Sequence, residues 1–351
     1  MLARLQEALS KQMTENTATD AFLADVASEA GDDAEVAACA AFRREAEAKF
    51  GHAKLVTVTV PFGERYIDTT LLRFLRARSG DAGLALTMLG ECLELRQQEQ
   101  LDTILDRPLP ISVVEHLHSS YDEGWLPSPD HHGRPVYIQR GGKTVERLEQ
   151  LFKPPVEGMA WELDDVMEAF IHCHLQMMEY LNKVVYTDRT AASGRTINKF
   201  VMLNDLMGMS MRGVGQIMKF SDIMKKMSAV DQLLYPEGLG VMYFLNAPWA
   251  FSGPWKLIAS FMTEETKRKI KVVSEAYPAE LGTVLPHEEL PSFLGGGLEG
   301  EQHVSGLAVK STPWFDLMDA HIRANAARPG TAVVDACRVR TYLKVVTAAK
   351  C

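Results

Sequence analysis

The sequence predicts an α/β fold in which helices pack on a mixed sheet, preceded by a helical N-terminal subdomain. Three observations carry this. Short β-rich runs at 134–139, 196–206 and 241–245 alternate with helical stretches, the pattern of strands joined by crossover helices. Val241–Leu245 is apolar without interruption and reads as a strand buried on both faces. The first hundred residues, by contrast, show almost only helical periodicity.

The chain has 351 residues, enough for one large or two moderate domains. Hydrophobic residues make up 46% and charged residues 24%, and the net charge is −9. An acidic balance argues against a general nucleic-acid binder and against steady electrostatic docking on anionic membrane. The five cysteines are scattered without metal spacing and read as reduced cytosolic thiols. The N-terminus lacks a signal-peptide apolar core, no run is long enough to span a membrane, and the terminal Cys351 is not a prenylation box. Many of the 17 methionines fall between Met202 and Met227, where they read either as core packing or as the adaptable lining of a pocket.

Residues 1–60 form a helical extension, with Leu2, Leu5, Leu9 and Met13 on one face and Phe22, Leu23 and Val26 on another. Val56–Val60 reads as a short strand or an extended connector before Pro61. Residues 61–106 form a helical subdomain. There Asp68 is placed to cap a helix through Thr70–Arg78, Gly80 ends it, and a second helix follows from Asp81 with Leu84, Met88, Leu89, Cys92, Leu93 and Leu95 inward. On the first of these helices Arg73 and Arg76 read as a solvated face, and Arg78 sits at the C-terminal end, where the helix dipole favours a cation.

Residues 107–300 form the main domain. Arg134–Gln139 is its first strand, and Gly141-Gly142-Lys143 a turn after it. Trp161–Tyr186 is a long helix with Asp164 and Asp165 in its first turn. Thr196–Leu206 is a second strand and Gly213–Met227 a helix. Trp249–Met262 is helical with Ser252 as N-cap, and its large apolar residues spread around the axis, so it must be buried or face something apolar. A short turn lies between Pro286 and Pro291, and Gly295-Gly296-Gly297 closes the domain. Residues 301–351 read as a tail packing on the body, with a helix at Trp314–Ile322 and a stretch at Thr331–Val346 open between helix and strand.

No phosphate-binding P-loop, G-x-S-x-G elbow or H-E-x-x-H pair occurs. His172-Cys173-His174 invites a metal reading, but residues two apart on a helix diverge, so no metal or other cofactor is expected.

Several runs together resemble the CRAL-TRIO, or Sec14-like, lipid-binding and transfer proteins. They are Leu-Leu-Arg-Phe-Leu-Arg-Ala-Arg at 71–78, Gly-Arg-Pro-Val-Tyr at 133–137, Tyr-Pro-Glu at 235–237, Phe-Leu-Asn-Ala-Pro at 244–248, Phe-Ser at 251–252 and Leu-Pro-Ser-Phe-Leu-Gly-Gly at 290–296. The resemblance covers about residues 65–300. It implies a sheet that floors a cavity for one lipid and a gate helix over it. Tyr137, Phe200, Phe244, Phe251, Trp255, Ile258, Phe261 and Met262 are then the cavity and gate residues. Arg78, Glu237, Thr266 and Lys269 match positions that hold the inositol phosphate headgroup. The chemistry agrees: Arg offers forked donors, Lys a point charge, Thr a hydroxyl, and Glu237 can brace Arg78. Thr266 and Lys269, three apart on one helical turn, face the same way.

Two departures stand out. Ser79 replaces a second basic residue after Arg78. At the phosphatidylcholine site Tyr137 matches, but Leu126, Phe200 and Asp231 stand where hydroxyl residues are expected. The resemblance therefore implies a cytosolic, monomeric protein, peripheral on membranes and without covalent chemistry, that extracts, exchanges or presents phosphatidylinositol and a second apolar ligand. The alternatives are a non-transferring sensor or scaffold that regulates a partner such as a lipid kinase, and an enzyme on the same scaffold.

Overall fold

The computed structural model describes residues 31–298, apart from 108, 110–111, 114–115, 118–122, 156, 160 and 275–276. The helices expected before residue 30 and the tail after 300 lie outside the described residues. The chain divides into two compact units. Of the described residues, the first gathers 31–97 with 182–198 and 233–237; the second holds those of 98–181, 199–232 and 238–298.

In the first unit, α1 (Asp33–Phe50) begins where the Asp32 carboxylate accepts from Glu35 N at 2.9 Å, and it ends at Gly51, whose φ of 83° suits glycine. The helix α2 (His52–Thr57) follows at once, so the start of 56–60 is helical and not a strand. The helix α3 (Ile67–Arg76) buries Leu71, Leu72, Phe74 and Leu75. Asp68 does not cap it. It lies within the first turn, buried, 2.7 Å from the Arg43 guanidinium on α1. Burial raises the Asp68 pKa, and Arg43 opposes the rise. After α3, Ser79 takes a left-handed φ of 51° and Gly80 N donates back to Leu75 O at 2.8 Å, which satisfies carbonyls the helix would otherwise leave open. The helix α4 (Ala82–Gln98) then buries Met88, Leu89, Cys92 and Leu95, whereas Leu84, expected inward, lies in its first turn and is 56% exposed.

The arginines of α3 are not a solvated face. Arg76 forks onto Glu35 at 2.6 and 2.7 Å, and this bonding, working against some burial, lowers the Glu35 pKa to about 2. Arg73 is only 3% exposed, and its Nε donates to Pro236 O at 2.7 Å. Helical spacing alone does not show that a returning segment, 233–237, covers this arginine. Arg73→Met should lower stability by about 1.5–3 kcal/mol, the range for a hydrogen bond to a charged group. An unchanged urea midpoint would show that the Pro236 carbonyl has another donor.

In the second unit a five-stranded sheet runs in the order β1 (Glu123–Trp125), β2 (Val136–Gln139), β3 (Phe200–Asp205), β4 (Leu239–Leu245) and β5 (Ile270–Val273). β1 pairs antiparallel with β2, and the other neighbours are parallel. The parallel strands need helical crossovers. These are α5 (Gly141–Arg147) and α6 (Leu163–Tyr180) between β2 and β3, then α8 (Met211–Lys219) and α9 (Ser221–Leu234) between β3 and β4. From α6 the chain passes through a π-helical turn, Leu181–Val185, into α7 (Tyr186–Ser193), so the helix expected at 161–186 is longer and interrupted. After β4 come α10 (Ser252–Ala259), α11 (Glu264–Arg268) and, beyond β5, α12 (Tyr277–Gly282). The Gly141-Gly142 turn is the first turn of α5. A Cβ at Gly142 would lie 2.4 Å from Met207 O, so only glycine lets α5 approach the end of β3.

Side chains alternate across the sheet. On one face Val136, Ile138, Val201, Leu203 and Leu245 are fully buried, under Leu281, Val284, Leu285, Leu290 and Leu294. This is the core of the unit.

Candidate functional site

The opposite face of the sheet differs. It carries Trp125, Tyr137, Phe200, Met202, Met242, Phe244 and Ile270 at the intervening positions. Phe200, Met202, Met242 and Ile270 are half-buried, and Val272 is exposed. The alternation is plain in β3, where Val201, Leu203 and Asp205 are buried and Phe200, Met202 and Asn204 are not fully covered. Accordingly, β4 is buried on both faces only over Tyr243–Leu245. Aromatic packing frames this open face. The Trp125 ring centroid lies 4.8 Å from that of Tyr137 and 6.1 Å from that of Phe200.

The segment 249–262 lies against the same face. Phe244 is 5.0 Å from Phe251 and 5.9 Å from Trp255 by ring centroid. Ser252 does not cap α10. A 3-10 turn, Trp249–Phe251, runs directly into the helix, with Phe251 already helical and no side-chain cap. Nor is the helix buried all round. Phe251, Pro254 and Ile258 are buried, Trp255, Leu257, Phe261 and Met262 are half-buried, and Ser252, Gly253, Lys256 and Ser260 are exposed. Trp249, just before it, is 85% exposed. The far end is tied to α9, where Gln232 Nε2 donates to Phe261 O at 3.1 Å.

The four expected headgroup residues fall in two groups. Arg78 and Glu237 belong to the first unit. Arg78 is half-buried just after α3 and donates to Ala77 O at 3.0 Å. Glu237 has a left-handed φ of 58° and follows Pro236, whose carbonyl Arg73 holds, so one hydrogen bond brings the Glu237 turn onto the helix that leads to Arg78. Thr266 and Lys269 belong to the second unit and share one turn, with Lys269 N bonded to Thr266 O at 3.0 Å. The Thr266 hydroxyl lies 2.9 Å from that of Thr263, which caps α11. Lys269 Nζ is 3.3 Å from Glu265, and its carbonyl accepts from Met242 N at 2.9 Å, which fixes it beside β4.

The histidines of α6 part company, as expected of residues two apart. His172 is buried, with Nε2 3.0 Å from Arg107 O, and burial lowers its pKa to about 4. His174 meets Asp231 on α9 at 2.7 Å. Burial disfavours its charged form, but Asp231, by charge and hydrogen bond, raises the pKa overall. Among the described residues no group of three or more His, Cys, Asp or Glu side chains could hold a metal. His172 stays neutral in the fold while the unfolded chain takes up a proton below the ordinary histidine value of 6.5. Its contribution to stability is therefore present above pH 6.5 and falls away toward pH 4. A His172→Gln variant should lose less stability than the parent between pH 7 and pH 5 in urea titrations. Equal losses would assign the acid sensitivity to other groups.

Three polar residues on the open face escaped the sequence reading. Glu123, Gln139 and Asn204 occupy paired positions on β1, β2 and β3. Gln139 was discoverable, since it stands two residues after Tyr137 and so shares its face. β1 was not, because three residues with a central glycine give no periodic signal.

A model of the CRAL/TRIO domain matches residues 120–296. The SEC14 cytosolic factor of Candida glabrata is 28% identical over 265 residues, which cover 73% of this chain and 79% of that protein. That of Kluyveromyces lactis is 29% identical over 282 residues, 77% of this chain and 84% of the other. The phosphatidylinositol/phosphatidylcholine transfer protein SFH9 of Arabidopsis thaliana is 29% identical over 70% of this chain and 40% of its own length. The crystal structure of Sfh5 has the same fold, with a TM-score of 0.52 at 16% identity over 73% of this chain and 85% of that one. No helix among the described residues is long and apolar enough to cross a membrane.

Proposed function

Since the chain belongs to the CRAL-TRIO, Sec14-like family, we propose that it binds a single lipid over the open face of its sheet and exchanges it between membranes. The observation that carries this is the half-buried apolar row Phe200, Met202, Met242 and Ile270, beside a segment whose half-buried flank is also apolar. Such a surface is the chemistry of a ligand site more than of a finished core. Acyl chains bound there would leave water, at roughly 0.8 kcal/mol per CH₂.

Phosphatidylinositol is the ligand favoured, with Arg78, Glu237, Thr266 and Lys269 as the headgroup residues and α10 with its flanks as the gate. Ser79 supports a headgroup site with fewer cations than usual. Its left-handed φ closes α3, and a serine adds no charge there. The protein works without covalent chemistry, as a peripheral visitor to membranes.

The test is exchange of labelled phosphatidylinositol between donor and acceptor vesicles, followed by mass spectrometry of the protein-bound lipid. Exchange at a rate proportional to protein, with the lipid recovered intact, is the expected result. Binding without exchange would move the reading to a lipid sensor. Stoichiometric release of fatty acid or phosphate would move it to an enzyme.

A further inference from the structure

A cleft of about 360 Å³ lies among the helices of the second unit, within the size range of small-molecule sites. Its walls are the 3-10 turn Leu148–Phe152, the start of α6, the end of α8 and the start of α9. None of its described lining residues belongs to a strand or to the segment 249–262, so it shares no wall with the open face of the sheet. Its floor is apolar. Met167, Phe220 and Ile223 are buried, and the Phe220 ring centroid lies 5.0 Å from that of Phe152, which stays exposed at the rim.

The polar groups around this floor are mostly acceptors. Asp164 and Asp222 are exposed, each in the first turn of its helix, where the dipole favours a carboxylate. Lys226, one turn after Asp222 on α9, offsets one of these two charges, and the balance stays negative. Glu149 is already engaged by Arg212 at 2.6 Å and by Gln216 Nε2. The second of these bonds sets the Gln216 amide, because a carboxylate only accepts. Gln216 is 3% exposed, and its Oε1 has no hydrogen-bond partner among the described residues. A buried amide oxygen without a donor is unfavourable, and a ligand N–H that reaches it would remove the cost.

We propose that this cleft binds a small organic ammonium, an aryl or alkyl amine whose apolar body lies on Phe152, Phe220 and Ile223 and whose N–H groups turn to Gln216 and the Asp164 and Asp222 carboxylates. An ammonium also suits the faces of the two phenylalanine rings. An anionic ligand would meet like charge at both aspartates, and an alcohol would bring one donor and no charge.

The test titrates the whole chain by calorimetry with phenethylamine, phenethyl alcohol and phenylacetate, which share an apolar body and differ in the head. The amine should bind tightest, the alcohol about fivefold weaker, the upper end for an exposed ion pair, and the acid weaker still. Asp164→Asn combined with Asp222→Asn should bring the amine down to the alcohol. Gln216→Met should weaken amine and alcohol alike, since both donate, and Phe152→Ala should weaken all three probes. An alcohol that bound as tightly as the amine would overturn the proposal. So would an amine affinity unchanged in the variants that keep the parent melting transition, because the amine would then sit elsewhere on the molecule. Absence of saturable amine binding would overturn it too, and none of these results bears on the lipid reading of the sheet.

Discussion

Lys269→Ala is expected to weaken phosphatidylinositol binding roughly 10- to 150-fold, the equivalent of one hydrogen bond from a charged group at about 1.5–3 kcal/mol. In the free protein Lys269 sits 3.3 Å from Glu265, four residues back and half exposed. Such a surface pair contributes roughly 0–1 kcal/mol, so its loss should leave the melting transition almost where it was. That separation gives the experiment its power. Arg78→Ala should cost at least as much affinity, because Ser79 supplies no second cation. Glu237→Ala should cost less, acting only through Arg78. If Lys269→Ala and Arg78→Ala both exchanged phosphatidylinositol at the parent rate, Lys269 would be half of a surface ion pair and Arg78 a cation bonded to the end of α3, and nothing more. Loss of binding together with a collapse of the melting transition would make them structural.

The segment 249–262 should divide into two functional halves. Phe251 is 2% exposed and packs on Phe244. Phe251→Asp places a carboxylate among apolar side chains without a partner, and truncation of a buried Phe alone costs about 3–5 kcal/mol. This variant should unfold early or fail to accumulate, and it says little about lipid exchange. Phe261 is half-buried at the far end, where its carbonyl is held by Gln232. Phe261→Asp should keep far-UV circular dichroism and melting close to the parent and still slow exchange between vesicles, because a charged gate would meet acyl chains or bilayer. Unchanged exchange by a folded Phe261→Asp protein would remove the gate assignment. Equal destabilisation by both substitutions would make the whole segment a core helix.

Much of the frame was legible in the residues themselves. The strands at 136–139, 200–205 and 239–245 lie where β-rich runs bounded by Gly and Pro put them. The turn at His287–Glu289 lies where two prolines confine it. These features are local: a strand needs a run of suitable side chains, and proline limits what its own backbone can do. The ordered motifs of the lipid-transfer family were legible too, because a set in fixed order along the chain survives wide divergence between them.

What the residues could not disclose depends on which neighbour arrives from elsewhere in the chain. Arg73 looks like any arginine on a solvent-facing helix until Pro236 comes back to cover it, 163 positions later. Asp68 looks like a cap until Arg43 claims it inside the helix. Ser252 looks like a helix start, but the 3-10 turn before it has already set the backbone. Most of all, the sequence determined that Val241–Leu245 would be a strand apolar on both faces. Only the tertiary structure decided that one face is sealed by Leu281, Leu285 and Leu290 while the other keeps Phe200, Met202 and Met242 within reach of solvent. Alternation divides residues between two faces but does not say which face the remaining elements will cover, and that choice belongs to packing.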